Sequence, residues 1–292
     1  MTALAVLGTV LGSLAGCGSL GDATADHTPT EGRTPSAIHA PAHAASAPPS
    51  AGAPSATEQP PPTMAPDPST LTPVFIHGAR TGEKVVALTF DADMTADEGP
   101  RAAAGEHFDN PALIALLRRS KVPATVFMTG RWADEYPAQA RSIGADALFE
   151  IANHSYSHYA FTSPCYGLPT VAKGGMRGEV ERAFAAFRKA GVRHVVPYFR
   201  FPGGCYDDAT LRALGPEKVT AVQWDVVSGD AFATDADAVA RQVLDGVKPG
   251  SVVVMHCTRS AAPVTDEAVR QVVPELRRRG YRFVKVSDLM RG

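Results

Sequence analysis

From residue 73 onward the chain alternates short apolar, β-branched runs with stretches whose apolar positions recur at helical spacing. Candidate strands are 85–90 (VVALTF), 124–129 (ATVFMT), 147–152 (ALFEIA), 197–201 (PYFRF), 219–224 (VTAVQW), 252–256 (VVVMH) and 281–286 (YRFVKV). Between them, Asn110 and Pro111 occupy the cap and first-turn positions of one helix. Val180, Ala183, Phe184 and Phe187 form the apolar stripe of another. Strands that alternate with helices predict a parallel α/β sheet, and seven of them suit a small or distorted barrel. No internal repeat of fixed period interrupts the pattern.

Before residue 73 the pattern is different. Residues 1–16 are a short apolar run ending in small residues, too short to span a bilayer and matched to the apolar region and processing site of a leader peptide. The step Leu14-Ala15-Gly16-Cys17 resembles the lipobox of bacterial lipoproteins, so a signal peptide over 1–17 is expected, with Cys17 as a lipid anchor to the membrane. About half of the 24 prolines precede Pro73, and no aromatic residue appears before Phe75. Such a Pro/Ala/Ser/Thr-rich segment cannot bury enough apolar surface to offset its ordering entropy, so 18–72 is expected to be a disordered linker. The folded domain is expected over 73–292, in an extracytoplasmic, membrane-anchored or secreted protein. Lys+Arg of 28 against Asp+Glu of 30 leaves no positive field for nucleic acid, which is excluded as a partner. A monomer is expected.

The polar residues of interest sit where candidate strands end, the place where parallel barrels build their active sites. Asp91 and Asp93, two apart after the first strand, face the same side of an extended chain. His154 and His158, in Asn153-His154-Ser155-Tyr156-Ser157-His158, have the i, i+4 spacing that puts two imidazoles on one face of a helical turn and suits a shared metal. Arg200 precedes the turn Pro202-Gly203-Gly204, where bare backbone N–H groups can approach a substrate, with Tyr206 just beyond. Trp224 to Asp230 follow the fifth strand and His256 ends the sixth. Each has a structural explanation alone, since such pairs cap loops and such histidines pack in cores. Five polar clusters at five strand ends are not well explained as separate accidents. Thr125, Phe127, Arg131 and Trp132 lie on or after the second strand, where groove lining competes with core packing or surface exposure. Cys165, Cys205 and Cys257 all adjoin these loops. In an oxidising compartment a Cys165–Cys205 disulfide with Cys257 as a buried thiol fits, though the sequence excludes no other pairing.

Taken together, the motifs of residues 80–290 resemble the polysaccharide deacetylases of the NodB-homology group, carbohydrate esterase family 4, with NHSYSH the most specific of them. The resemblance implies a distorted (β/α)7 barrel and metal-dependent removal of N-acetyl groups from an acetylated polysaccharide, peptidoglycan or a chitin-like glycan. It implies Asp93, His154 and His158 as ligands of one divalent ion, with zinc expected and cobalt, nickel or manganese compatible with the donors. It implies Asp91 as general base, Arg200 as the group that orients it, Asp230 paired with Arg200, His256 as general acid and the Gly203 N–H as an oxyanion donor. Tyr206 and Trp224 would contact substrate. The chain departs from the family's TFDDG by inserting Ala92 between the aspartates, and it places Ala231 where a Trp is usual, so that wall of an acetyl pocket is either missing or supplied by Trp224. Two rival readings use the same residues: an esterase removing O-acetyl groups from a xylan-type glycan, and a wall-binding module with weak turnover.

Overall fold

A computed structural model describes residues 59–65, 70–172 and 174–292. The expected leader, Cys17 and most of the expected linker lie outside the described residues. Nine strands are present among those described: β1 (Val74–Phe75), β2 (Val85–Ala92), β3 (Ala124–Met128), β4 (Phe149–Asn153), β5 (Val195–Phe199), β6 (Thr220–Val222), β7 (Val226–Val227), β8 (Ser251–His256) and β9 (Arg282–Phe283). Every ladder is parallel, and the spatial order is β1-β6-β5-β4-β3-β2-β8-β7, with β9 beside the start of β2. The sheet curls into a half-barrel with helices around it, the distorted (β/α)7 architecture expected from the sequence.

Alternation along β2 sets the geometry of everything that follows. Val86, Leu88 and Phe90 join the apolar layer shared with the outer helices, whereas Ala87 belongs to an inner cluster with Phe127, Ala152, Tyr198 and Val222. Because side chains two apart share a face, Asp91 falls on the inner side, at the C-terminal end of the strand. Helix Pro111–Arg119 begins as expected, with Asn110 Oδ1 accepting the Leu113 N–H at 3.0 Å. Helix Met176–Ala190 buries Val180, Ala183 and Phe187, while Phe184 packs from its flank.

The expected strand 281–286 is the clearest difference. Only Arg282–Phe283 pair with β2, and the chain turns into helix Val286–Arg291, which closes the inside of the half-barrel. The first N–H groups of that helix are met by buried side chains of the sheet: Val286 donates to Thr125 Oγ1 and Ser287 to Glu150 Oε1, each at 3.0 Å. These partners stabilise a helix start where the apolar pattern alone reads as strand. The described residues before 73 lie against the domain: the Tyr198 hydroxyl donates to the Pro62 carbonyl at 2.8 Å, and the Met64 N–H to Thr220 Oγ1 at 3.2 Å.

Candidate active site and metal centre

Two loops, the one after β2 and the one after β4, bring Asp93, His154 and His158 together. Asp93 Oδ1 lies 3.3 Å from His154 Nε2 and 3.5 Å from His158 Nε2, and the three donor atoms all fall within 4.8 Å of one another. The loop after β4 is not the helical turn that its spacing predicts. Ser155 and His158 have φ of 66° and 57°, and this left-handed path, not an α-helical face, points both rings at Asp93. His154 Nδ1 lies 2.9 Å from the Arg200 carbonyl oxygen, which can only accept, so Nδ1 carries the proton and Nε2 presents its lone pair.

The donors fit a divalent cation. Asp93 Oδ1 is buried and receives no hydrogen bond, a costly state that a cation between it and the two imidazoles would relieve. Burial raises the Asp93 pKa, but His158, His154 and His256 outweigh it and leave the carboxyl far below the usual carboxylate range. Burial, with the neighbouring imidazoles, takes His158 down to about 4 against the pull of Asp93. An ionised Asp93 and a neutral His158 are the forms that bind metal. Burial also disfavours charge on His154, but Asp91 and Asp93 raise it overall, so a cation there competes with a proton.

On one flank, Asp91 is tied to Arg200. Arg200 Nη1 donates to Asp91 Oδ1 at 2.6 Å, and Nε to the Val222 carbonyl at 3.2 Å. The guanidinium lies 3.8 Å from the centre of the Phe127 ring and 5.3 Å from that of Trp224, with no exposure to solvent. On the other flank, His256 Nδ1 lies 2.8 Å from Asp230 Oδ1, and its Nε2 lies 3.9 Å from Asp93 Oδ2. Burial lowers the His256 pKa, but the Asp230 charge and hydrogen bond, helped by Asp93 and Asp91, bring it up to about 10.

The expected Asp230–Arg200 pair is not formed. Asp230 Oδ2 accepts the His256 N–H and the Thr265 hydroxyl, both at 2.7 Å, while Oδ1 takes His256 Nδ1 and the Ser228 hydroxyl. The register of β7 on β8 puts Asp230 beside His256, whereas Arg200 leaves β5, several strands away. Of the other residues considered, Phe127 is buried under Arg200, and Trp132 is buried with its indole N–H on the Phe108 carbonyl. Thr125 is buried against Glu150, so these three pack in the core, whereas Arg131 is partly exposed and pairs with Glu135. Thr258, which the sequence reading missed, accepts the Asp93 N–H at 2.8 Å, and Thr265 braces Asp230. Nothing distinguishes either threonine in sequence.

Gly203, Tyr206 and Trp224 surround the turn after β5. Gly203 has φ of 65°, and a Cβ there would meet Cys165 Sγ at 2.6 Å, so only glycine fits. Trp224 covers Gly204, and Tyr206 stacks on Phe201 at 5.4 Å. The Cys165–Cys205 disulfide is formed and Cys257 is a buried thiol. Replacing both disulfide cysteines with serine is expected to cost about 2–4 kcal/mol, read from urea midpoints. An unchanged midpoint would show that the staple adds nothing to the fold.

A half-barrel whose strand ends gather a carboxylate and two imidazoles is the setting of a hydrolytic centre, and comparison with known proteins agrees. The polysaccharide deacetylase family model matches residues 78–222. A chitooligosaccharide deacetylase of Sinorhizobium fredii is 30% identical over 215 residues, covering 69% of this chain and 89% of that protein. A peptidoglycan-N-acetylglucosamine deacetylase of Bacillus cereus is 28% identical over 212 residues, covering 72% of this chain and 89% of that one. A solved peptidoglycan N-acetylglucosamine deacetylase shares the fold with a TM-score of 0.62 at 23% identity, over 76% of this chain and 94% of that one. The chain belongs to the polysaccharide deacetylases, the NodB-homology group of carbohydrate esterase family 4.

Proposed function

We propose that the protein is a metal-dependent N-deacetylase of a cell-wall or chitin-like glycan, held outside the cytoplasm. The observation that carries this reading is the convergence of Asp93, His154 and His158 between two proton-handling pairs, Asp91–Arg200 and His256–Asp230. A divalent ion on the three ligands, zinc in this reading, supplies the Lewis acidity that polarises the acetyl carbonyl and acidifies water. Asp91, oriented by the Arg200 guanidinium, takes the proton of the attacking water. His256, held as imidazolium by Asp230, gives a proton to the departing amine as the tetrahedral intermediate collapses. The Gly203 N–H serves as oxyanion donor, while Tyr206 and Trp224 line the sugar and acetyl contacts.

The two curated relatives act on chitooligosaccharide and on peptidoglycan N-acetylglucosamine, which favours an amide over an ester substrate. The Cys165–Cys205 disulfide suits an oxidising compartment, in keeping with a leader peptide and a lipid anchor at Cys17. Acetate release from peptidoglycan, chitin oligomers and acetylxylan, with chelator and with added zinc or cobalt, tests the proposal. Release from an N-acetylated glycan that stops with chelator is the expected result. Release from acetylxylan alone would make the protein an esterase, and metal binding without release from any glycan would favour the wall-binding reading.

A further inference from the structure

We propose that Glu179 is a positioning residue for the metal centre, setting cation affinity by holding the backbone between the two histidine ligands. This inference rests on the metal-binding reading above. The segment from His154 to His158 is neither helix nor strand, and two of its non-glycine residues, Ser155 and His158, sit at positive φ. Such residues cost of order 1–3 kcal/mol each and persist only where surrounding contacts hold them. Part of the restraint is local, because Asn153 Oδ1 accepts the Ser155 N–H at 2.9 Å and Ser155 Oγ accepts the His158 N–H at 3.1 Å. The middle of the loop has no such local partner for its N–H groups.

Glu179 supplies it from the first turn of helix Met176–Ala190. One carboxylate oxygen, Oε2, accepts the Tyr156 N–H at 3.1 Å, the Ser157 N–H at 2.8 Å and the Ser157 hydroxyl at 2.8 Å. The other oxygen pairs with Arg182, whose guanidinium lies 4.6 Å from the centre of the Tyr156 ring. The residue is only 4% exposed, and burying a carboxylate is expensive unless its bonds return that cost. Three charge-assisted bonds to one short loop do so, and all three end on Tyr156 and Ser157, between the ligands. The opposite side of the loop rests on helix Gly130–Glu135: the Ser155 and Tyr156 carbonyls accept from the Gly130 and Arg131 N–H groups at 3.0 and 2.9 Å. Glu179 therefore completes a frame that fixes both Nε2 atoms opposite Asp93 before any cation arrives. Groups that orient metal ligands from outside typically account for 10–100-fold in affinity.

The test is zinc titration of the metal-stripped full chain by calorimetry, comparing wild type, Glu179→Gln, Glu179→Met, Glu179→Ala and, as a control on the solvent-facing side of the same helix, Glu181→Ala. Glu179→Ala is expected to weaken zinc about 10–100-fold, Glu179→Gln by clearly less because its amide oxygen still accepts, and Glu181→Ala not at all. Glu179→Met fills similar space without an acceptor, so weakened zinc in the methionine variant together with rescue in the glutamine variant separates loop positioning from simple packing. A folded Glu179→Ala that binds zinc within about threefold of wild type would overturn the inference, as would a glutamine variant no better than alanine. If the alanine variant does not fold, the glutamine and methionine variants decide, with equal zinc affinity in the two counting against the proposal. A wild-type chain that takes up no zinc, cobalt, nickel or manganese overturns the metal reading itself, a result seen without any variant.

Discussion

Arg200→Met is expected to lower the stability of the metal-free protein by about 3–5 kcal/mol, because it removes one partner of a buried ion pair and leaves the other without its contact. Arg200 is wholly buried and Asp91 nearly so, and the 2.6 Å bond between them is the charge contact that offsets taking both out of water. Methionine keeps much of the apolar stem that packs on Phe127, so the loss reports the charge and its hydrogen bonds, including the one to the Val222 carbonyl. At about 2–4 °C per kcal/mol for a domain of this size, the midpoint should fall by roughly 6–20 °C in thermal unfolding with chelator present. The double variant Asp91→Leu/Arg200→Met should recover most of that loss while remaining inactive, since replacing a buried pair by apolar groups is often neutral. A single variant as stable as wild type would mean that water reaches Asp91 and that the pair is not the buried anchor described here.

The strand ends are legible in the sequence because local patterns announce them. The run from Val85 to Phe90 is a short, nearly continuous stretch of strand-forming residues, and the two carboxylates that follow it are only two apart in the chain, so their shared location needed no tertiary information. The Asp93–His154–His158 cluster joins two loops after neighbouring motifs, and the residue types alone limited the chemistry. Pairings between distant loops were less legible. Asp230 reaches His256 through a β7 of two residues, too short to show any period, and the Arg200 partner that the family resemblance implies lies several strands away. The backbone path between the histidines was misread because spacing of four is also what a left-handed loop can deliver when Ser155 and His158 adopt positive φ. Glu179, Thr258 and Thr265 carry no local signal at all. Each is a common residue whose importance comes from which loop its element packs against, and that is decided by the whole sheet order.

The sharpest division of labour in the site is between His154, which is buried, and His256, which is partly exposed, two imidazoles that both face Asp93. His154→Ala is expected to lose zinc by more than about 100-fold, beyond what a residue outside the ligand set typically commands, and to lose acetate release with it. His256→Ala is expected to keep zinc affinity within about tenfold and to lose about 10²–10⁴ in kcat, the usual contribution of a positioned acid. The difference follows from what each ring does with its two nitrogens. His154 spends Nδ1–H on a backbone carbonyl, a neutral partner that leaves Nε2 free to bind a cation. His256 spends Nδ1–H on the buried carboxylate of Asp230, which favours a second proton on Nε2 and makes it a donor. Asp230→Asn should therefore reproduce most of the His256→Ala defect in turnover while leaving zinc in place, because an amide cannot hold the imidazolium. Zinc titration and acetate release on the same preparations separate the outcomes. Loss of zinc in His256→Ala to the extent seen in His154→Ala would put His256 among the ligands, and a fully active His256→Ala would move the amine's proton to another donor.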